Sequence, residues 1–307
     1  MSKNNDNARS IDLGEESDGL EDLTESELQK RRDARREEDE VKEKVSYWNI
    51  SQQTKDHAVQ MVLKLSGNLG SNIGGKFHKG VFARKNVDGI REYISHKDDK
   101  KTREIMILVS TLNVMSSYIV PLFECSGDDT EVITPLLKLF LALTKGLSGE
   151  KRDSVVTRVK EKPLTNESKE DFLKRVQKAK SVQKNSYQQI SALMSFKEAI
   201  VSEQVFKIVY DYVDGPISKT AKVRTADDLK RIETFLFLVS NLLQIQAGPF
   251  SLSSEQIHSR SLQNKLILIL KKEHILELFM SLCTSINKPG HQQWNGLIME
   301  ILHHLFW

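Results

Sequence analysis

The side chains of this chain that could do chemistry are few, and their spacing is wrong for most of it. His303 and His304 are neighbours, so on a helix of 3.6 residues per turn they diverge by about 100° and rarely share one metal. A helical zinc pair uses i, i+4 spacing, as in H-E-x-x-H. His291, His303 and His304 do not offer it, and Cys125 and Cys283 stand alone. The glycine-rich stretch GNLGSNIGGKFHKG, residues 67–80, supplies Lys76 but puts Phe77 where a phosphate-binding loop needs Ser or Thr. No G-x-S-x-G elbow and no C-x-x-C occurs. Carboxylates are abundant, but they fall on polar helix faces or in the first residues. These readings point to no catalytic, metal or cofactor site, and to a chain that is not an enzyme.

Positive charge is the more promising chemistry. From Lys151 to Gln189 the chain carries 11 Lys or Arg against 5 Asp or Glu. Within it, Lys174, Arg175, Lys178, Lys180 and Lys184 would lie along the outer sides of one helix. Such a face can neutralise several phosphates of double-stranded DNA, a contact that ignores sequence and weakens with salt. A solvated face on an insertion, spanning about residues 148–185, explains the same residues. The run KRRDARR holds Lys30, Arg31, Arg32, Arg35 and Arg36, which fit a nuclear-import signal. Asp33 and the acidic residues 37–40 make an ordinary charged helix the competing reading.

The charge is unevenly distributed. Residues 1–45 hold 15 acidic and 9 basic side chains, a net of −6, within a chain of net +3, so residues 46–307 carry +9. With hardly any aromatics, the first 45 residues cannot bury enough apolar surface to offset chain entropy, and a disordered arm is expected. A basic body beside an acidic arm suits an anionic partner. Two lone cysteines fit a reducing compartment. The N-terminus lacks the apolar stretch of a signal peptide, and runs such as FLFLVSNLL fall short of a membrane span.

The elements that must position these residues read as helix from about residue 50 onward. The stretch at 68–80 is expected to be a loop, and no strand-like alternation is evident. A helix is predicted over DDKKTREIMILVSTLNVMSSYIVPLFECS, its acidic start suiting the helix dipole, with Pro121 opening the next short helix or kinking this one. TEVITPLLKLFLALTKGL, with Leu137 and Phe140, is apolar nearly all round, which predicts an inner helix. The helix around Leu238 and Leu242 is predicted to start at Thr225 or Asp227, and DGPISKTAKVR to break the chain before it. The closing stretch places Trp294, Leu297, Ile298, Ile301, Leu302 and Leu305 on one stripe. No stop signal follows it, as expected of a chain truncated in mid-domain. Helix pairs about every 40 residues predict an all-α fold, a right-handed α-solenoid of HEAT or armadillo type, with a compact irregular bundle as the alternative.

The order of segments resembles one family. NVDGIREYISHKDDKKTREIMILVSTLNVMSSYIVPLFE is followed by VITPLLKLFLALTKGL, then SALMSFKEAIVSEQVFKIVYDYV, IETFLFLVSNLLQI and QQWNGLIMEILHHLF. The series is similar to the N-terminal domain of the Timeless proteins. Lys197, Glu198, Ala199 and Ile200 match a KEAF-like stretch with Ile for the aromatic. Residues 238–243 match an LVRNIL-like stretch with Ser240 for Arg. Trp294, Met299, Glu300, Ile301, Leu305 and Phe306 match the last. The resemblance covers roughly residues 50–307 and leaves the acidic arm unassigned. It implies a nuclear, non-catalytic scaffold at replication forks that holds a Tipin-like partner and the replicative helicase, touches parental DNA, and supports checkpoint signalling and sister-chromatid cohesion. A circadian or transcriptional regulator acting through protein contacts alone stays open.

Overall fold

The computed structural model describes residues 52–98, 102–146, 168–220, 222–247, 253–284 and 294–306, all within one unit, Trp48–Trp307. The arm at 1–45, with Lys30–Arg36, lies outside the described residues, as does the first part of the predicted insertion. The described chain is built almost wholly of helices. They are α1 (Gln52–Gly67), α2 (Ala83–Lys97), α3 (Glu104–Thr111), α4 (Val120–Cys125), α5 (Thr130–Thr144), α6 (Lys169–Ile200), α7 (Glu203–Ser218), α8 (Ala226–Gln244), α9 (Ser253–Lys272), α10 (Ile275–Thr284) and α11 (Asn295–Phe306).

One strand pair corrects the sequence reading. Gly70–Ile73 (β1) and Lys76–Lys79 (β2) form an antiparallel hairpin rather than a loop. Gly74 and Gly75 turn it at φ +61° and +79°, the left-handed pair that a two-residue hairpin turn requires. Gly70 is fixed by close approach: a Cβ there would stand 2.3 Å from the His78 carbonyl oxygen. Ile73 and Phe77 are the strands' only large apolar residues, so the segment gives almost no period-two signal. Lys79 Nζ, 2.8 Å from Asp129 Oδ2, anchors the hairpin beside the start of α5.

A second correction concerns the long apolar helix. α3 stops at Thr111, and Asn113 takes a left-handed φ of 52°, which Asn adopts more readily than most residues. A π-helical turn, Met115–Ile119, then leads into α4, with Pro121 in its first turn. The axis bends by 63°. A third correction is at Pro216: α7 runs past it to Ser218. Arg224 Nε and Nη2 donate to the carbonyls of Pro216 (3.2 Å) and Ile217 (2.8 Å), satisfying the end of a helix that proline was expected to terminate earlier.

α5 is the inner helix. Leu136, Leu137, Leu139, Phe140 and Leu143 are fully buried, and the Phe140 ring lies 5.1 Å from that of Phe123. α2, α4, α6 and α8 pack around it. α8 carries Leu238, Val239, Leu242 and Leu243 into the same interior. Its start is a capping box: the Thr225 hydroxyl accepts from Asp228 N, and the Asp228 carboxylate accepts from Thr225 N. α2 packs on α5, α5 on α8, and α8 on α11, so these four described helices form a row. α11 closes the row through Trp294, Ile298 and Ile301, all buried. Leu297, Leu302 and Leu305 are half-buried. Among the described residues, no single helix is long and apolar enough to cross a membrane.

Arg224 also lies over the Trp294 ring, 5.6 Å from its centroid, so this indole joins α11 to the end of α7. Trp294→Ala removes both the ring and its buried contacts. It is expected to destabilise the fold by about 3–5 kcal/mol in chemical denaturation; an unchanged transition would mean that α11 is not docked.

Candidate nucleic-acid interface

The basic residues singled out from the sequence sit on α6, and the structure divides that helix in two. Ser168 caps it, its hydroxyl accepting from Asp171 N at 3.1 Å. Glu170 and Asp171 complement the dipole in the first turn. From Phe172 to Phe196 there is then no Asp or Glu. Lys174, Lys180 and Lys184 are exposed; Arg175 is half-buried, its guanidinium 5.4 Å above the Phe172 ring. The Lys178 side chain lies outside the described residues. The cations therefore occupy the first half of a helix roughly 48 Å long.

The second half is clamped. Asn185 Nδ2 and Gln189 Nε2 each donate to the Thr102 carbonyl at 3.0 Å. Ala192, Leu193, Phe196 and Ile200 are buried with it. α6 packs here against α3 and α5. A rigid root thus carries a shaft rich in cations.

The root contains a residue the sequence reading matched only as part of a family-like stretch. Lys197 is fully buried. Its Nζ donates to the Ile245 carbonyl at 2.8 Å and to Gln263 Oε1 at 2.5 Å, tying α6 to the end of α8 and to α9. Burial pushes the amine down to about 7 from its usual 10.5, because its hydrogen-bond acceptors there are neutral. The available signal was its place in an apolar stripe, four residues after Leu193 and three before Ile200. A second tie lies at the start of α3. The Asp98 carboxylate accepts from Ile105 N (2.9 Å) and Met106 N (3.1 Å). Arg103, at a left-handed φ of 49°, donates to the carbonyls of Ala142 (3.1 Å) and Lys145 (2.5 Å) at the end of α5. Burial lowers the Arg103 pKa, and Asp98 opposes that shift.

The other sequence candidates are not brought together. The His303 and His304 rings are 5.3 Å apart in the last turn of α11. Among the described residues, no group of three or more His, Cys, Asp or Glu could hold a metal. Cys125 and Cys283 are free thiols, exposed and half-buried. Lys76 is exposed at the hairpin turn, where no strand-to-helix phosphate loop exists.

Comparison with known proteins decides the lineage. The sequence pattern of the family described as Timeless protein matches residues 76–307. The chain belongs to the Timeless family. Protein timeless homolog of Mus musculus is 23% identical over 240 residues, which are 78% of this chain and 18% of the mouse protein. The chain thus spans less than a fifth of that relative's length. The Timeless match begins in β2, leaving α1 and β1 outside it, later than the sequence reading placed its start.

Lys197 makes the stability of this Timeless domain pH-dependent. Between about pH 7 and 10.5 the unfolded chain keeps the proton that the folded amine has released, so folding stability rises with pH across that window. Lys197→Met removes the titration. Urea midpoints are expected to show wild type gaining on the variant as pH rises from about 7 toward 10, with no relative change below pH 7. Parallel profiles would show that the amine titrates alike in both states.

Proposed function

We propose that this protein is a non-catalytic scaffold subunit of a nuclear replication fork-protection complex. In this reading it holds double-stranded DNA without sequence preference and binds a Tipin-like protein and the replicative helicase. It thereby steadies stalled forks and supports checkpoint signalling and sister-chromatid cohesion. The observation that carries the reading is the Timeless match over residues 76–307, joined to a cationic half-helix on a clamped root, with Lys174, Lys180 and Lys184 exposed. The row α2, α5, α8, α11 supports the right-handed HEAT- or armadillo-like solenoid reading only in that helices distant in sequence stack side by side.

Lys174→Glu, Lys180→Glu and Lys184→Glu together leave the buried half of α6 untouched. They are expected to weaken binding to a 30-base-pair duplex by at least about tenfold at low salt. The slope of log K against log salt should become shallower by about 2–3. Fluorescence anisotropy over a salt series reads both, and unchanged affinity with unchanged slope refutes the DNA contact. Recovery from S-phase nuclei of helicase subunits with a Tipin-like protein supports the fork role; recovery of a transcription regulator alone supports the clock reading.

A further inference from the structure

α6 has a third surface, on neither its cationic end nor its buried stripe. Tyr187, Ile190, Met194 and Glu198 fall at i, i+3, i+7 and i+11 on one side of the helix, lining a groove of about 600 Å³. The opposite wall is the first turns of α9, with Glu255 and His258. The groove runs three turns, roughly 17 Å. Its apolar residues are half-buried while both carboxylates are exposed, giving an apolar floor with an acidic rim.

We infer that this groove seats an amphipathic helix of a partner protein, with a Lys or Arg of that helix between Glu198 and Glu255. The floor has the length and spacing of a helix-in-groove site, where apolar anchors at i, i+3, i+4 and i+7 would meet Tyr187, Ile190 and Met194. The rim fixes the sign of the occupant. Glu198 is the first acid after 26 residues without one, in a body of net charge +9, so the groove is a negative site on a cationic surface. His258 Nε2 stands 3.5 Å from Glu198 Oε2 across the groove. One imidazole against two carboxylates leaves room for an incoming cation. Phosphates are repelled where the other half of the helix attracts them, so α6 would sort two classes of partner by charge along its length. The inference takes from the scaffold reading only that the occupant is a protein.

The probe is a fluorescein-labelled 14-residue helical peptide of Leu and Lys, Leu at i, i+3, i+4 and i+7, with a Leu and Glu counterpart. The intact chain is expected to bind the Lys peptide at least about tenfold more tightly than the Glu peptide. Met194→Glu should abolish that binding. Glu198→Lys with Glu255→Lys, both at exposed positions, should reverse the preference. Equal binding of the two peptides, binding of neither, or a preference that survives the double charge reversal overturns the inference. Duplex binding through Lys174, Lys180 and Lys184 is read separately, so the groove and the DNA contact fail independently.

Discussion

A helix that is apolar except for a narrow side at Glu131, Thr134 and Lys138 must be enclosed over most of its surface, and α5 imposes that requirement on everything around it. Burying each of its large side chains contributes roughly 1.5–3 kcal/mol, but only if neighbours arrive from several directions. α2, α4, α6 and α8 supply them. α8 then carries its own apolar residues toward both α5 and α11, so the demand for cover passes along the row. The polar ties hold ends in place: Asp98 and Arg103 at the junction of α3 and α5, the Thr225–Asp228 box at the start of α8, Arg224 between α7 and Trp294. Asp228 is held down at about 2, chiefly by the Lys219 ammonium and also by the Thr225 backbone N–H.

α6 joins the interior to the working surfaces. Its buried stripe is fixed by Phe196, Ile200 and the Lys197 amine, and the cationic half and the groove face are two other sides of the same rod. Lys197 is an expensive way to make that joint, since a buried amine among neutral acceptors loses much of its hydration. It gives direction in return. A methionine there would fill the volume but leave the Ile245 carbonyl and Gln263 without this donor.

Much of this was legible in the sequence wherever burial and periodicity coincide. The inner character of Leu136 to Leu143, the cap at Thr225, the basic helix through Lys174 and Lys184 and the stripe from Trp294 all follow from 3.6-residue spacing and capping chemistry. The misses lie where one or two residues set the backbone and the apolar pattern does not. Asn113 breaks an apolar run whose composition favours continuation, Gly74 and Gly75 turn two strands with hardly any apolar alternation, and Pro216 lies inside a helix whose last carbonyls Arg224 satisfies. Lys197 was visible as a residue but not as a buried amine, because its acceptors lie 48 and 66 positions away. The cations of α6 were readable, whereas the groove needs α9 folded beside α6.

The bend at Asn113 bears on which environments the chain can enter. Unbent, residues 104–125 would form a rod of about 33 Å, matching the roughly 30 Å hydrocarbon thickness of a bilayer. Together its two segments have the length and composition of such a span, yet they meet at 63°. The bend at the left-handed asparagine turns the rod by 63°, and Leu108 and Val109 before it and Leu122 and Phe123 after it all reach the protein interior. The hinge thereby hides a lipid-compatible stretch inside a packed domain, where composition alone would leave its destination ambiguous.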